Sequence, residues 1–385
     1  MDAVATAHLL SDQRELYDIE PGVAYFNTAN ISPLLRSVRE AGERAFDQRT
    51  RPWAISPQEW FGDVETLRAR FGSLIGASAE SIALVPASSY GLAVAARNLR
   101  AAPGERVVVL DDEFPSNYYT WKRFCERTGA ELVVVEREED VSWTDATLRA
   151  IDERAAVVAV PNVHWADGAL VDLPAVAAQA RDAGSALAID ASQSLGALPL
   201  DVAELKPDAL IAVGYKWLHG ATGMGYLYLD ERHHGGEPLE ENWILRAGSE
   251  DFARLVDYTD VYQPGARRFD VGERSSFNLV PMAIAALDQI IAWQPERVAA
   301  TLGVLTGRIA AHAAELGFEA PPDGERGPHM LGLRLPDGDA GRVAQALADA
   351  GVAAPVRGDS LRISPHLHVT EEDTERLLDA LATAA

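Results

Sequence analysis

Lysine is nearly missing from this chain. Of 385 residues only Lys122, Lys206 and Lys216 are lysines, and arginine carries almost all the positive charge. Cysteine is rarer still: Cys125 stands alone, which excludes an intrachain disulfide and a cysteine-based zinc cluster. Positive charge as a whole is in deficit, 34 Lys and Arg against 58 Asp and Glu, for a net charge of −24. Such a balance argues against a nucleic-acid backbone or an anionic membrane as partner, since both attract basic surfaces. Long apolar runs are lacking too. Tracts such as "AAVVAVP" fall well short of the roughly 20 residues that span a bilayer. The opening "MDAVATAHLLSDQRELYD" has neither the basic start nor the apolar stretch of a signal peptide, so a cytoplasmic protein is expected.

What is present is the composition of a folded protein, 48% apolar and 24% charged. The length suits two domains of roughly 150 residues or more. Short β-branched runs alternate with Ala-rich stretches. "SIALVP", "RVVVLDD", "ELVVVER", "AAVVAVP", "ALAID" and "DALIAVG" read as buried strands. "YGLAVAARNLR", "NYYTWKRFCERTG" and "LPAVAAQARDAG" read as helices, the last two closing on glycine. This alternation predicts a largely parallel sheet with helices on both faces. "GMGYLYLD" follows "DALIAVG" by only about ten residues, too few for a crossover helix, and is expected to run antiparallel as a seventh strand. From about residue 270 the pattern changes to long helices (Pro281 to Leu316), short strands "MLGLRLP" and "SLRISP", and a closing helix after Thr370. The fold class is therefore α/β, a large domain over 26–265 and a smaller α+β domain over 266–385, with residues 1–25 packing against the latter.

Ligands of open parallel sheets bind beyond the carboxyl ends of the strands. At those ends stand Ser88 and Ser89, then Phe114 in "EFPSN", Asn162 in "NVHWADG", Asp190 and Gln193 in "DASQS", and Tyr215 and Lys216 in "GYKW". Serines opening a helix suit a phosphate, though they equally suit a plain cap. A buried aspartate requires a partner, and a buried lysine is paired or reactive. Together these offer a phosphate cradle, a flat aromatic, a carboxylate and a lysine on one rim. Pyridoxal 5′-phosphate (PLP) requires that set: a lysine for the Schiff base, an anion that keeps the ring nitrogen protonated, an aromatic cover and a helix end for the phosphate.

The ordered set "ASSYG", "EFPSN", "NVHWADG", "DASQ" and "GYKW" resembles the class V aminotransferase family of fold-type I PLP enzymes, from "YFNTANISP" to "LRISPHLHVTEED". That family includes cysteine desulfurases, kynureninases and isopenicillin N epimerase-like proteins. The resemblance implies Lys216 as Schiff-base lysine and proton shuttle, and Asp190 as partner of the pyridine nitrogen. Gln193 would reach the phenolic oxygen, and Phe114 would stack on the ring. Ser88, Ser89 and Tyr215 would hold the phosphate. Asn162 and Arg362 would hold the substrate carboxylate, with Asn27 nearby. Ser275 or Ser276 in "VGERSSF" would reach the partner subunit's phosphate, which implies a homodimer with shared active sites.

Two departures limit the chemistry. Val213 stands where desulfurases place a phosphate-binding serine, and "GVAAPVRGDSLRISP" holds no cysteine ahead of Arg362. A persulfide route is therefore not expected. Among other readings, "GATGMG" precedes a strand and has the wrong glycine order for a dinucleotide site. His233–His234 and His366 with His368 lack rim carboxylates at metal-ligand spacing, so no metal is expected. A catalytically silent binding protein of this fold has no need of Lys216, Asp190 and Arg362 together. The sequence thus predicts a PLP-dependent enzyme acting on an α-amino acid, an aminotransferase first, with a carbon–sulfur or carbon–carbon lyase or an epimerase as alternatives.

Overall fold

A computed structural model describes residues 9–138, 141–335, 338–357 and 360–385; the expected N-terminal segment lies outside it over residues 1–8. The chain begins with β1 (Ala24–Tyr25), α1 (Arg36–Arg49) and α2 (Pro57–Leu74). There follow β2 (Ile82–Val85), α3 (Ser88–Asn98), β3 (Arg106–Leu110), α4 (Pro115–Thr128), β4 (Glu131–Val135) and α5 (Trp143–Ala150). Next are β5 (Ala155–Pro161), α6 (Leu173–Ala183), β6 (Ala186–Asp190), the short α7 (Val202–Leu205), β7 (Ala209–Val213) and β8 (Gly225–Leu229). Each apolar run read as a strand becomes one. α4 and α6 end at Gly129 and Gly184, whose left-handed φ of 78° and 76° only glycine adopts readily.

The seven-stranded sheet has the order β2-β8-β7-β6-β5-β3-β4. β8 is antiparallel to both its neighbours and every other pairing is parallel. β2 therefore points the same way as β7, and six strands end at one edge. Both faces are covered, which is why these strands are apolar throughout. α2, α5 and α6 pack Leu67, Phe71, Trp143 and Val176 on one side. α3 and α4 pack Leu92, Trp121, Phe124 and Cys125 on the other.

The remainder comprises α8 (Leu279–Trp293), α9 (Pro295–Glu315), β9 (Leu331–Arg334), α10 (Ala340–Asp349), β10 (Val352–Ala353), β11 (Val356–Arg357), β12 (Ser360–Ile363) and α11 (Glu371–Ala384). α8 places Val280, Ala283 and Leu287 in the core that α2 shares with the large sheet. The smaller core forms beyond it, where Leu331, Leu333, Leu361, Ile363, Leu377 and Leu381 surround the antiparallel sheet β11-β12-β9. The N-terminal segment joins this core through Ala24 and Phe26, with β1 running parallel to β10.

A buried ion cluster fixes the approach to α8. Asp270 pairs with both Arg68 and Arg274 and accepts the Leu84 N–H at 2.8 Å, tying α2 and β2 to the 265–274 segment. A second junction joins the loop after β5 to the small sheet. The Gly327 N–H donates to the Gly168 carbonyl at 2.8 Å and the Leu170 N–H to the Glu325 carbonyl at 2.9 Å. A Cβ at Gly332 would lie 2.6 Å from the Asp167 carbonyl, and one at Gly168 would lie 2.7 Å from that of Met330, so neither position admits a side chain.

Candidate active site

The shared strand edge converges the residues that follow β2, β3, β5, β6 and β7. Ser88, Phe114, Asp190, Gln193, Tyr215 and Lys216, all anticipated, line one small pocket. Glu113, Trp165 and Ser192 line it too. Lys216 is only 7% exposed. Its Nζ lies 5.2 Å from the centroid of the Phe114 ring. Burial lowers its pKa to about 8; Asp190 opposes that shift and Arg362 reinforces it.

Asp190 ends β6, where its Oδ1 accepts the Ser192 N–H at 2.9 Å. Among the described residues its Oδ2 has no hydrogen-bond partner. Trp165 meets Phe114 edge-on, centroids 5.8 Å apart at 80°, and is anchored by donating Nε1–H to the Asp112 carbonyl at 2.7 Å. α3 starts at Ser88, two residues before the expected Tyr90, because the serines themselves take helical geometry behind the extended Ala87. No side chain caps this helix; the Tyr90 and Gly91 N–H groups donate to the Ala87 carbonyl at 3.2 and 3.3 Å, and those of Ser88 and Ser89 have no acceptor among the described residues. Ser88 is buried in the pocket wall, whereas Ser89 is exposed and lies outside it. Tyr215 is half-buried, and burial and then Asp190 raise its pKa.

Other anticipated residues stand around this centre. Gln193 is held at both ends, donating to the Ala29 carbonyl (3.1 Å) and accepting from Trp217 (3.0 Å), which leaves one amide N–H. Asn162 is buried and turns its amide to the Val171 carbonyl at 3.2 Å. Arg362 on β12 reaches back to the large domain, donating to the Trp165 carbonyl at 2.8 Å and to Asn27 Oδ1 at 3.3 Å. Ser276 does not line the pocket of its own chain; its Oγ accepts the Leu279 N–H at 3.3 Å at the start of α8. Ser275 donates to the Trp60 carbonyl at 2.6 Å.

Sequence reasoning overlooked Glu113. It is buried in the pocket wall, accepts the Phe114 N–H (2.6 Å) and the Asn117 amide (3.1 Å), and is driven by burial and then by Asp190 to a pKa of about 7. Its signal was an acidic residue directly before the aromatic at a strand end. Behind Lys216, His219, His329 and His366 surround Trp217 and Trp293. His368 joins through Tyr17 and donates its Nε2–H to the Tyr25 carbonyl at 2.9 Å. Burial lowers all four, to about 3 for His219 and about 4 for His329 and His368. His233 sits apart, 2.7 Å from Asp208. Among the described residues no three potential ligands gather as a metal site.

The donor set fits PLP: a buried amine, a carboxylate with an open oxygen, an aromatic face and uncapped helix N–H groups. Ser192 Oγ, buried without a partner, adds a hydroxyl in the pocket wall. Residues 57–377 match the aminotransferase class-V family, and the chain belongs to that family of PLP-dependent fold-type I enzymes. An uncharacterized aminotransferase of Bacillus subtilis, YcbU, is 28% identical over 380 residues, covering 97% of this chain and 98% of its own. The isopenicillin N epimerase of Streptomyces clavuligerus is 28% identical over 386 residues, covering 94% and 95%. Among solved structures, the apo cysteine desulfurase of Thermococcus onnurineus NA1 superposes with a TM-score of 0.83 at 21% identity, over 96% of this chain and 97% of that one. No helix among the described residues is long and apolar enough to cross a membrane.

Proposed function

We propose that the protein is a PLP-dependent aminotransferase of α-amino acids, acting as a cytoplasmic homodimer. The observation that carries this reading is the Lys216 amine, buried beside Asp190 and over the Phe114 ring at the strand edge. PLP supplies an electron sink for the substrate's α-carbon. A lysine near pKa 8 is partly neutral at physiological pH, so Lys216 can attack a carbonyl and carry a proton. The open Asp190 Oδ2 would stabilise a proton on the ring nitrogen by opposite charge. Phe114 would cover one face of the ring, and the spare Gln193 N–H would serve its phenolic oxygen. Ser88, Tyr215 and the open N–H groups of the first turn of α3 would hold the phosphate, with Ser276 reaching in from the partner subunit, whereas Ser89, exposed outside the pocket, is left out of this role. Arg362, with Asn27 and Asn162, takes the α-carboxylate.

Two observations favour amino-group transfer over sulfur abstraction. The relative bearing the aminotransferase name aligns over nearly the whole of both chains. The sole thiol, Cys125, is 6% exposed and raised to about 11 by burial, a poor nucleophile. Exposed Val256, Tyr258 and Val261 support the dimer, which light scattering tests. The deciding assay incubates the PLP-loaded protein with a panel of L-amino acids, with and without a 2-oxo acid. Turnover that requires the oxo acid is expected. Release of ammonia or pyruvate without it assigns a lyase, and inversion of the α-carbon an epimerase. Borohydride reduction and peptide mapping should place the pyridoxyl group on Lys216; finding it on Lys122 or Lys206 overturns the assignment.

A further inference from the structure

In an antiparallel sheet, directly opposed residues point to the same face, as do residues two apart along a strand. Arg357 of β11 opposes Ser360 of β12, and Arg362 follows Ser360 by two. Arg357 and Arg362 therefore share a face, and Arg362 meets only Gly332 across the pair with β9. Arg357, Ser360 and Gly332 line a groove of about 1040 Å³ between the small sheet and the loop after β5. Trp165 lines both this groove and the pocket of Lys216, so the two adjoin.

Neither Arg357 nor Arg362 has a carboxylate partner among the described residues. Arg362 is 2% exposed, yet its hydrogen bonds go to two neutral oxygens, and its Nε is buried with no partner. Arg357 is half-buried, and its one hydrogen bond among the described residues is to the adjacent Val356 carbonyl at 3.3 Å. Asp112, Glu138, Asp167, Glu319 and Glu325 border the same groove, but among the described residues none of them forms an ion pair with Arg357. Burial and then the neighbouring Arg357 depress Arg362 to about 10, the mark of two like charges held together. Buried or half-buried cations are ordinarily paired. In a chain of net charge −24, two adjacent guanidiniums that no carboxylate pairs among the described residues form a place for an anionic ligand.

We infer that the substrate is a dicarboxylic α-amino acid and its 2-oxo acid counterpart, with Arg357 holding the side-chain carboxylate at the groove while Arg362 holds the α-carboxylate. This rests on the proposed aminotransferase reading for the second half of that assignment. One α-carboxylate can satisfy Arg362, and Arg357 then remains for a second. The groove's position beside Trp165 puts that second group away from Lys216, where a side chain would extend.

The test uses the PLP-loaded protein and amine-free probes, succinate, glutarate and adipate against butyrate, followed by calorimetry. At least one dicarboxylate should bind about tenfold or more tightly than butyrate. Arg357→Met should abolish that advantage and leave butyrate affinity unchanged, with bound-cofactor absorbance and thermal midpoint retained. The same split is expected in kcat/KM between glutamate or aspartate and 2-aminobutyrate. Equal affinity for all four probes in the wild type, or an Arg357→Met variant that weakens butyrate as much as the dicarboxylates, overturns the dicarboxylate assignment. Arg362→Met separates the two readings. If it leaves butyrate binding intact, the α-carboxylate site itself is wrong; if it weakens butyrate while Arg357→Met changes nothing, only the second-carboxylate inference falls.

Discussion

Replacing His329 by glutamine removes one titratable ring from a place where an added proton has no acceptor. His329 Nε2 lies 2.6 Å from the Gln193 carbonyl, its ring stands edge-on to Trp217 at 4.3 Å, and its Nδ1 is buried without a partner. Burial holds its pKa at about 4, against an unfolded value of about 6.5. The folded pKa lies below the unfolded one, so acidification favours the unfolded chain. The His329 contribution is complete above roughly pH 6.5 and is lost progressively as pH falls toward about 4. Between about pH 8 and about pH 5 that loss amounts to about 2 kcal/mol. Glu113, raised to about 7, acts in the opposite sense over the same window and masks part of the effect in any single profile. The comparison with His329→Gln cancels it, because glutamine keeps a donor for the Gln193 carbonyl and cannot be charged. Urea unfolding of the PLP-loaded wild type and variant at both pH values measures the difference. The wild type should lose about 2 kcal/mol more than the variant on acidification. Parallel losses would refute the neutral, proton-excluding setting assigned to this ring.

Two further outcomes probe the pocket and the thiol. Asp190→Asn should keep bound PLP, seen by its absorbance, and lose turnover by roughly 100-fold, as removal of one transition-state electrostatic partner commonly removes about 3 kcal/mol; near-normal turnover would show that another group faces the ring nitrogen. Cys125→Ser should retain nearly full activity and destabilise by no more than about 2 kcal/mol, and a persulfide on Cys125 after exposure to cysteine would contradict its burial.

The large sheet was legible because its strands are buried on both faces and so declare themselves as unbroken apolar runs between glycine-closed helices. Asp190 and Lys216 were legible for a related reason: a charge directly after such a run is conspicuous. Arg362 came from family resemblance, since nothing local to "LRISP" shows that its guanidinium crosses to Trp165 and Asn27. Glu113 was missed because its meaning depends on proximity to Asp190, a residue two strands away in the sheet. Ser89 and Ser88 looked equivalent in sequence, yet the helical turn sends one into the pocket wall and the other to solvent. β1, β10 and β11, each two residues long, carry too little periodicity to read, and exist through pairing with distant chain.

The junction at Gly168 and Gly332 bears on how Arg362, proposed to hold the α-carboxylate, gets its accuracy. Backbone bonds tie the loop after β5 to the strand region before β9, and neither glycine has room for so much as a methyl group. A hinge cannot lie there without breaking those bonds and opening a void. Arg362 is therefore tied to the pocket wall by backbone contacts of its sheet as well as by its own bonds to the Trp165 carbonyl and Asn27. Its rotational freedom is lost during folding rather than on encounter with a ligand. Ligand affinity then escapes much of the ordering penalty that a mobile arginine would impose.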